Sequence, residues 1–339
     1  MKKNLAGLMM VMATAAAPVA ALAQFATSTE NFNNNGTRAA QFLKFPVGAR
    51  ATAMGESYAA VASDASALFW NPGGAGRLKD LDVHLAHTSY LLDINFNYVG
   101  LVVPTATGNL GFSAAVLNMG DERVTTLRDP DGTSGVSWSA SSFAIGLTFS
   151  RALTDRFSVG ITGKYIQENV FNSSAKSVAV DIGSIYETGL GGLKIGMAMT
   201  NFGGKMKLSG RDLTLREVDA DPFVGGNTGQ AADLQVNSWP LPLNFRVGVS
   251  LDVFRNETST LMLASDFNHP TDAEERVQFG AEYAFMNRFF VRGGYKFNYD
   301  EESFTLGGGL KLSSFSFDYA YRDFGILGDV PTFSLNLRL

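Results

Sequence analysis

From Leu81 to Leu339 the chain falls into segments of about ten residues in which apolar and polar positions alternate. Between Phe289 and Tyr299, one face carries Phe289, Val291, Gly293, Tyr295, Phe297 and Tyr299. The other carries Phe290, Arg292, Gly294, Lys296 and Asn298. Side chains on a strand alternate with a period of two, so one face suits lipid and the other a packed or aqueous lumen. Val277–Phe285 and Phe315–Arg322 divide in the same way, and the chain ends with Phe333, Leu335, Leu337 and Leu339 set against Ser334, Asn336 and Arg338. Read in order, the alternation predicts strands at 81–90, 95–103, 109–117, 139–150, 156–168, 176–187, 192–202, 243–253, 260–268, 275–285, 288–298, 303–312, 314–322 and 330–339. That makes fourteen, an even number that suits a closed antiparallel barrel. Connections after even-numbered strands are short. The two longest, Asn118–Trp138 and Gly203–Pro242, both follow odd-numbered strands. This parity places the short turns and both barrel ends in the periplasm and the long loops outside.

The stretch from Phe42 to Gly74 breaks the pattern. It is rich in Ala and Gly and lacks sustained alternation. Ser63 and Asp64 are good helix N-caps, and Ala65–Trp70 could form one or two turns that stop near Asn71, the residue before Pro72. The apolar group Leu68, Phe69 and Trp70 needs a surface to pack on. We therefore expect a compact plug around which the barrel closes, the alternative being a periplasmic linker. The chain divides into a signal peptide (1–23), a tail and plug (24–80) and a barrel (81–339). Gln24–Thr37 is polar and Asn-rich and is expected to be poorly ordered. Gly73-Gly74-Ala75-Gly76 lacks the following Lys-Ser/Thr of a phosphate loop and reads as a flexible exit into the first strand.

Composition sharpens this reading. Hydrophobic residues make up 45% of the 339 and charged residues 17%, below the roughly 25% of an ordinary soluble domain. Past the N-terminus there is no apolar run of about 18 residues, which argues against membrane helices. Lys2 and Lys3, the apolar Leu5–Ala17 and the small-x-small Ala21-Leu22-Ala23 form a secretory signal, with Gln24 the first mature residue. The chain has no cysteine, which rules out a lipidated N-terminal Cys, disulfides and thiolate metal sites. The net charge of −5 leaves no electrostatic footprint for nucleic acid.

Candidate chemistry is sparse. His84 and His87 lie three apart, on opposite faces of a strand, and cannot share a metal. His269-Pro-Thr-Asp272, near Asp266, Glu274 and Glu275, reads as a solvated acidic loop, with an oxygen-liganded cation as the alternative. No nucleophile motif accompanies the histidines, so no enzyme, cofactor or metal is expected. The inward positions carry charge of both signs: Lys164, Asp181, Arg246, Asp252, Asp266, Glu282, Arg292, Lys296, Lys311, Asp318, Arg322 and Arg338. Buried charges are costly unless paired, so ion pairs within the lumen and to Arg50 and Glu56 are expected, with an ion or solute path as the alternative. Tyr295, Tyr299, Phe317, Tyr319 and Tyr321 are expected to face lipid.

Two motifs carry a family resemblance. Gly48-Ala-Arg-Ala-Thr-Ala-Met-Gly55, followed by Asp64-Ala-Ser-Ala-Leu-Phe-Trp-Asn-Pro72, resembles the start of the PorV/PorQ family of outer-membrane proteins. That family is distantly related to the long-chain fatty acid transporter (FadL) family, whose N-terminal plug has a similar Asn-Pro-Ala signature. Here Gly73 takes the place of the alanine. The likeness is specific over about thirty residues and continues in short pieces such as His269-Pro-Thr-Asp272 and Arg292-Gly-Gly-Tyr295. It implies a plug motif made of Gly48, Arg50, Met54, Gly55, Asp64, Leu68, Phe69, Trp70, Asn71 and Pro72. It also implies an adaptor in type IX protein secretion, embedded in outer-membrane lipid. Its loops Asn118–Trp138 and Gly203–Pro242 would bind a secretion channel and cargo carrying a C-terminal signal. The alternative from the transporter relatives is passive uptake of a hydrophobic small molecule.

Overall fold

The computed structural model describes residues 34–216, 231–299 and 302–339. The signal peptide, the tail before Asn34 and the Gly225-Gly-Asn-Thr-Gly229 turn lie outside the described residues. The alternating segments form fourteen long strands: β1 (Asp82–Ser89), β2 (Asn95–Thr105), β3 (Gly108–Asn118), β4 (Ala140–Thr154), β5 (Phe157–Val170), β6 (Ser173–Glu187), β7 (Lys194–Gly203), β8 (Asn244–Arg255), β9 (Ser259–Pro270), β10 (Arg276–Phe285), β11 (Phe289–Phe297), β12 (Phe304–Lys311), β13 (Phe315–Asp323) and β14 (Asp329–Arg338). Each pairs antiparallel with its neighbours in sequence. β1 also pairs with β14, Leu85 opposite Leu335, and closes the barrel. Closure satisfies every ladder and leaves no open edge in lipid.

The outer face follows the period-two pattern. Phe279, Val291, Tyr295, Phe317 and Tyr319 are exposed on the wall, while Gln278, Arg292, Lys296 and Asp318 between them are buried. Tyr299 departs from this. β11 ends at Phe297, and Asn298 takes φ 62°. That left-handed residue breaks the alternation, and the Tyr299 hydroxyl turns inward to accept a bond from Gln278 Nε2 at 2.7 Å. Several strands outrun their expected ends, β4 by the most. β4 continues to Thr154 through a register shift after Ala152. β9 continues to Pro270, opposite Asn244, so His269 and Pro270 finish a strand rather than occupy a loop. Proline fits there because a strand end demands no further N–H. Met286 and Asn287 both have φ 52°, and Arg288 N bonds Phe285 O at 3.0 Å. That two-residue primed turn matches the twist of its hairpin.

The described residues ahead of β1, from Arg38 to Gly76, pack against the inward faces of the strands. They form a 3₁₀ turn (Gln41–Lys44) and the short helices α1 (Ala49–Ala53), α2 (Ala67–Trp70) and α3 (Pro72–Ala75). α1 starts at Gly48, whose φ of 84° would strain any residue with a Cβ. α2 is one turn, shorter than Ala65–Trp70, because Asp64 and Ala65 build its entry. Asp64 O accepts from Ala67 N, and the Asp64 carboxylate accepts from Ser66 N at 2.9 Å. Asn71 ends α2 and caps α3, its Oδ1 accepting from Gly73 N at 3.0 Å. Pro72 takes the first helical position, where no N–H is needed. Gly73-Gly74-Ala75-Gly76 is thus a packed helical turn and not a flexible exit. A Cβ on Gly73 would lie 2.7 Å from Ser184 Cα, and one on Gly74 2.4 Å from Ala62 O.

Candidate functional site

The site is the filled lumen, which is attached to the wall in two different ways. Residues 49–76 form a septum whose backbone is pressed against inward glycines. A Cβ on Gly294 would sit 2.0 Å from Gly55 N, on Gly280 2.5 Å from Met54 O, on Gly196 2.2 Å from Ala59 O, and on Gly160 2.3 Å from Pro72 O. Side chains at these positions would push the septum away. Hydrogen bonds then fix it. Asn71 Nδ2 donates to Ala59 O and Ser184 O, Thr305 Oγ1 to Ala53 O, and Asn109 Nδ2 to Ala75 O and Leu78 O. Asp82 accepts from Ala65 N, Asn336 and Arg338. Asp266 accepts from Tyr58 N and Ala59 N at 3.0 and 2.9 Å. Met54, Tyr58, Ala65 and Trp70 are completely or almost completely buried.

Most of the inward charges form paired groups. Arg50 binds Glu282 through two nitrogens at 2.8 and 2.9 Å. Arg292 reaches Glu282 and Asp318, each at 2.6 Å. Such fork-to-carboxylate geometry is the strong form of an ion pair. Lys296 bridges Glu56 and Glu302. Glu302 lies 3.6 Å from Arg322, which donates to the Tyr90 hydroxyl. Lys164 pairs with Asp181 at 2.8 Å. Arg50 and Glu56 thus meet the lumen set. Lys311 faces inward into a cavity of about 450 Å³ at the short-turn end and makes no ion pair among the described residues. Burial would push the Asp64 carboxyl up, but the neighbouring His84 and Arg50 and the bonds from Ser66 override it and hold it below its ordinary range. His84 faces this lumen and His87 faces outward to Asn97, so they share no ligand.

Towards the end with the long loops, Arg38–Val47 forms a strap over the septum. Phe42 and Leu43 are buried in an apolar group with Val47, Phe96, Tyr98, Ala115, Ala144 and Ile166, and with Phe69 at its edge. Phe45 stacks on Tyr90 with centroids 4.4 Å apart. Asp272, read from the sequence as part of a solvated loop, is instead buried and accepts from Gln41 Nε2 at 2.9 Å and Lys44 Nζ at 3.0 Å. Burial would raise its pKa, but these donors and the Lys44 charge lower it. Among the described residues no cluster of three or more His, Asp and Glu could hold a metal. The sequence reading missed Asp82, Thr305 and the glycine contacts. The signal available for the last was glycine recurring at inward positions, as at Gly280 and Gly294.

These features define a bacterial outer-membrane β-barrel whose inward faces pack against residues 38–76. A model of an uncharacterised protein family (UPF0164) matches residues 12–152. No curated protein matches. Among solved structures, the fold is similar to the CymD monoaromatic hydrocarbon channel, with a TM-score of 0.54 and 11% identity over 86% of this chain and 97% of that one. It is also similar to the Pseudomonas putida toluene transporter TodX (0.51, 11% identity, 86% and 96% covered) and the Ralstonia pickettii toluene transporter TbuX (0.50, 14% identity, 86% and 98% covered). At such identities the likeness is one of fold.

Proposed function

We propose that the protein is a passive outer-membrane channel for small hydrophobic molecules, with residues 24–80 as its tail and plug and no enzymatic activity. One observation carries this reading. The half of the lumen next to the long loops holds an apolar group of Leu68, Phe69, Tyr98, Ala115 and Ala144 packed around Phe42 and Leu43, which leave a cavity of about 20 Å³ with the Lys164–Asp181 ion pair at its margin. Small-molecule sites have this character, mostly apolar with a few placed polar groups. The fold shared with hydrocarbon channels supports the same reading. The test is the initial uptake of labelled toluene by intact cells of a lipopolysaccharide-bearing host. Cells expressing the barrel should take it up at least about twofold faster than vector controls, with glucose entry unchanged. Equal toluene rates would end the proposal.

A second reading keeps the resemblance to PorV/PorQ proteins: an adaptor for a secretion channel and its cargo. It rests on apolar side chains presented by the long loops, where Leu127 is fully exposed and Val136, Leu234 and Trp239 are about half exposed. Exposed apolar side chains of this kind can mark a protein contact. A pull-down from gently solubilised membranes, with the tag in the 204–243 loop, distinguishes the two. Recovery of a large outer-membrane channel or of secreted cargo favours the adaptor, and recovery of the barrel alone removes it.

A further inference from the structure

We infer that Lys164 and Asn201 join through their side chains in an amide bond, with Asp181 as the catalytic carboxylate, so that a covalent cross-link spans β5, β6 and β7. The bond is independent of the channel reading. It modifies the wall and binds no solute.

The three residues meet because their strands are consecutive and all three side chains turn inward. Lys164 lies on β5, Asp181 on β6 and Asn201 on β7. Lys164 Nζ sits 2.8 Å from Asp181 Oδ2 and donates directly to Asn201 Oδ1. Asp181 Oδ1 accepts from Asn201 N at 2.7 Å, so one carboxylate holds both partners, with one oxygen on each. The side-chain amide is fixed from its other end, where Asn201 Nδ2 donates to Pro242 O at 3.1 Å. Asp181 and Asn201 are 1% and 4% exposed.

The backbone is bent to make this meeting. Between β6 and β7 the register shifts from Val180 to Ile182, and Asp181 has no residue paired to it across that ladder. Asn201 takes φ 64°, a left-handed conformation that asparagine adopts more readily than most residues with a Cβ. Its N–H is thereby aimed at the Asp181 carboxylate and not at a ladder carbonyl. β7 pairs with β8 only as far as Thr200, opposite Asn244, so Asn201 is the first residue beyond that ladder. The cross-link ties the wall together at the point where β7 leaves β8.

The surroundings suit the reaction. Phe42, Leu43, Leu68 and Phe69 line the small cavity that Lys164 and Asp181 border. The first step passes a proton from the Lys164 ammonium to the Asp181 carboxylate. It leaves two neutral groups, which apolar surroundings tolerate better than separated charges. The freed amine is the nucleophile, and its fixed place beside the carbonyl makes the attack intramolecular. Its lone pair attacks Asn201 Cγ, and the new C–N bond forms as the Cγ–Nδ2 bond breaks. Of the two protons that Lys164 Nζ loses, one leaves on Nδ2 as ammonia and the other stays on Asp181. Lysine and carboxyl both end neutral, and no buried charge is left without a partner. The cavity of about 70 Å³ lined by Lys164, Asn201 and Pro242 receives the ammonia.

Mass spectrometry of tryptic peptides decides the matter, using the full chain purified folded from outer membranes. Trypsin cleaves after Arg156, Lys164, Lys176, Lys194 and Lys205. With the bond in place Lys164 is no longer a cleavage site. Residues 157–176 should then appear joined to 195–205, lighter by one ammonia, about 17 Da. The joined peptide and not the whole-chain mass is the readout, because cyclisation of an N-terminal glutamine releases the same mass. Asp181→Asn removes the base and should give separate peptides of full mass. Lys164→Arg keeps the ion pair without the amine and carries the same expectation if Asp181→Asn does not fold. Separate 157–164 and 195–205 peptides from the folded unaltered protein overturn the proposal, whatever the toluene uptake. A joined peptide that persists in folded Asp181→Asn overturns the role of Asp181.

Discussion

At the scale of single residues, the inward glycines set the distance between wall and septum. A methyl group at Gly294 would meet Gly55 N at 2.0 Å and Met54 C at 2.4 Å, both backbone atoms that no rotamer change can move aside. Overpacking of this kind costs about 1–3 kcal/mol or more. Gly294→Ala should therefore destabilise the barrel by about 3 kcal/mol, read from urea unfolding in phospholipid vesicles. Gly163 is the control. It points outward from β5, and a Cβ there meets nothing within 4 Å. Gly163→Ala should change stability by less than about 0.5 kcal/mol. Equal effects at the two sites would mean that the septum yields where the contact distances say it cannot.

At the scale of elements, the strands and the short helix α2 were legible in the sequence, and α1 and α3 were not. A strand between lipid and lumen exposes its two faces to different media, so Val291 and Arg292 announce their sides by chemistry alone. α1, with sequence Ala-Arg-Ala-Thr-Ala, is packed almost all round and has no apolar stripe. Periodicity therefore has nothing to detect. Inward charge was legible for the same reason as the strands, but pairing across the barrel was not: Arg50 and Glu282 meet across 232 positions of sequence. Asn71 shows how much one side chain can carry in such an element. It caps α3 and donates to Ala59 O and Ser184 O. Asn71→Ala removes a cap worth about 1 kcal/mol and strands two buried carbonyls, a total of about 2–4 kcal/mol. The same urea titration checks it, and a loss below about 1 kcal/mol would show that water replaces the side chain.

The long loop 119–139 permits a prediction about pH. Asp129 accepts from the backbone N–H groups of Thr133 and Ser134, and these bonds hold its pKa at about 2. A carboxyl whose folded pKa is depressed contributes stability that is complete above its unfolded value of about 3.9 and lost as pH falls through the folded one. The amide shifts of Thr133 and Ser134, followed by NMR, should titrate with a midpoint near 2. A midpoint near 4 would mean that the turn is not held by this carboxylate.

At the scale of the whole molecule, the lumen is a barrel divided in two. Cavities of about 450 and 290 Å³ open at the short-turn end, and smaller ones of about 70 and 20 Å³ lie towards the long loops. Between them stand Ala53, Met54, Ala65 and Trp70, none more than 2% exposed. The charges bordering this partition are largely tied up in pairs such as Arg50–Glu282 and Lys296–Glu56. An ion would have to shed its water and separate such a pair, and each half would then be a buried charge without a partner. An uncharged apolar molecule faces neither cost. The barrel in a planar lipid bilayer should therefore give no stable conductance steps at moderate voltage. Arg50→Ala should still give none, because the glycine contacts keep the septum in place without that pair. Porin-like steps from the unaltered protein would show an aqueous path through the septum and overturn the division of the lumen. Steps appearing only in Arg50→Ala would mean that the ion pairs, and not the close backbone packing, make the seal.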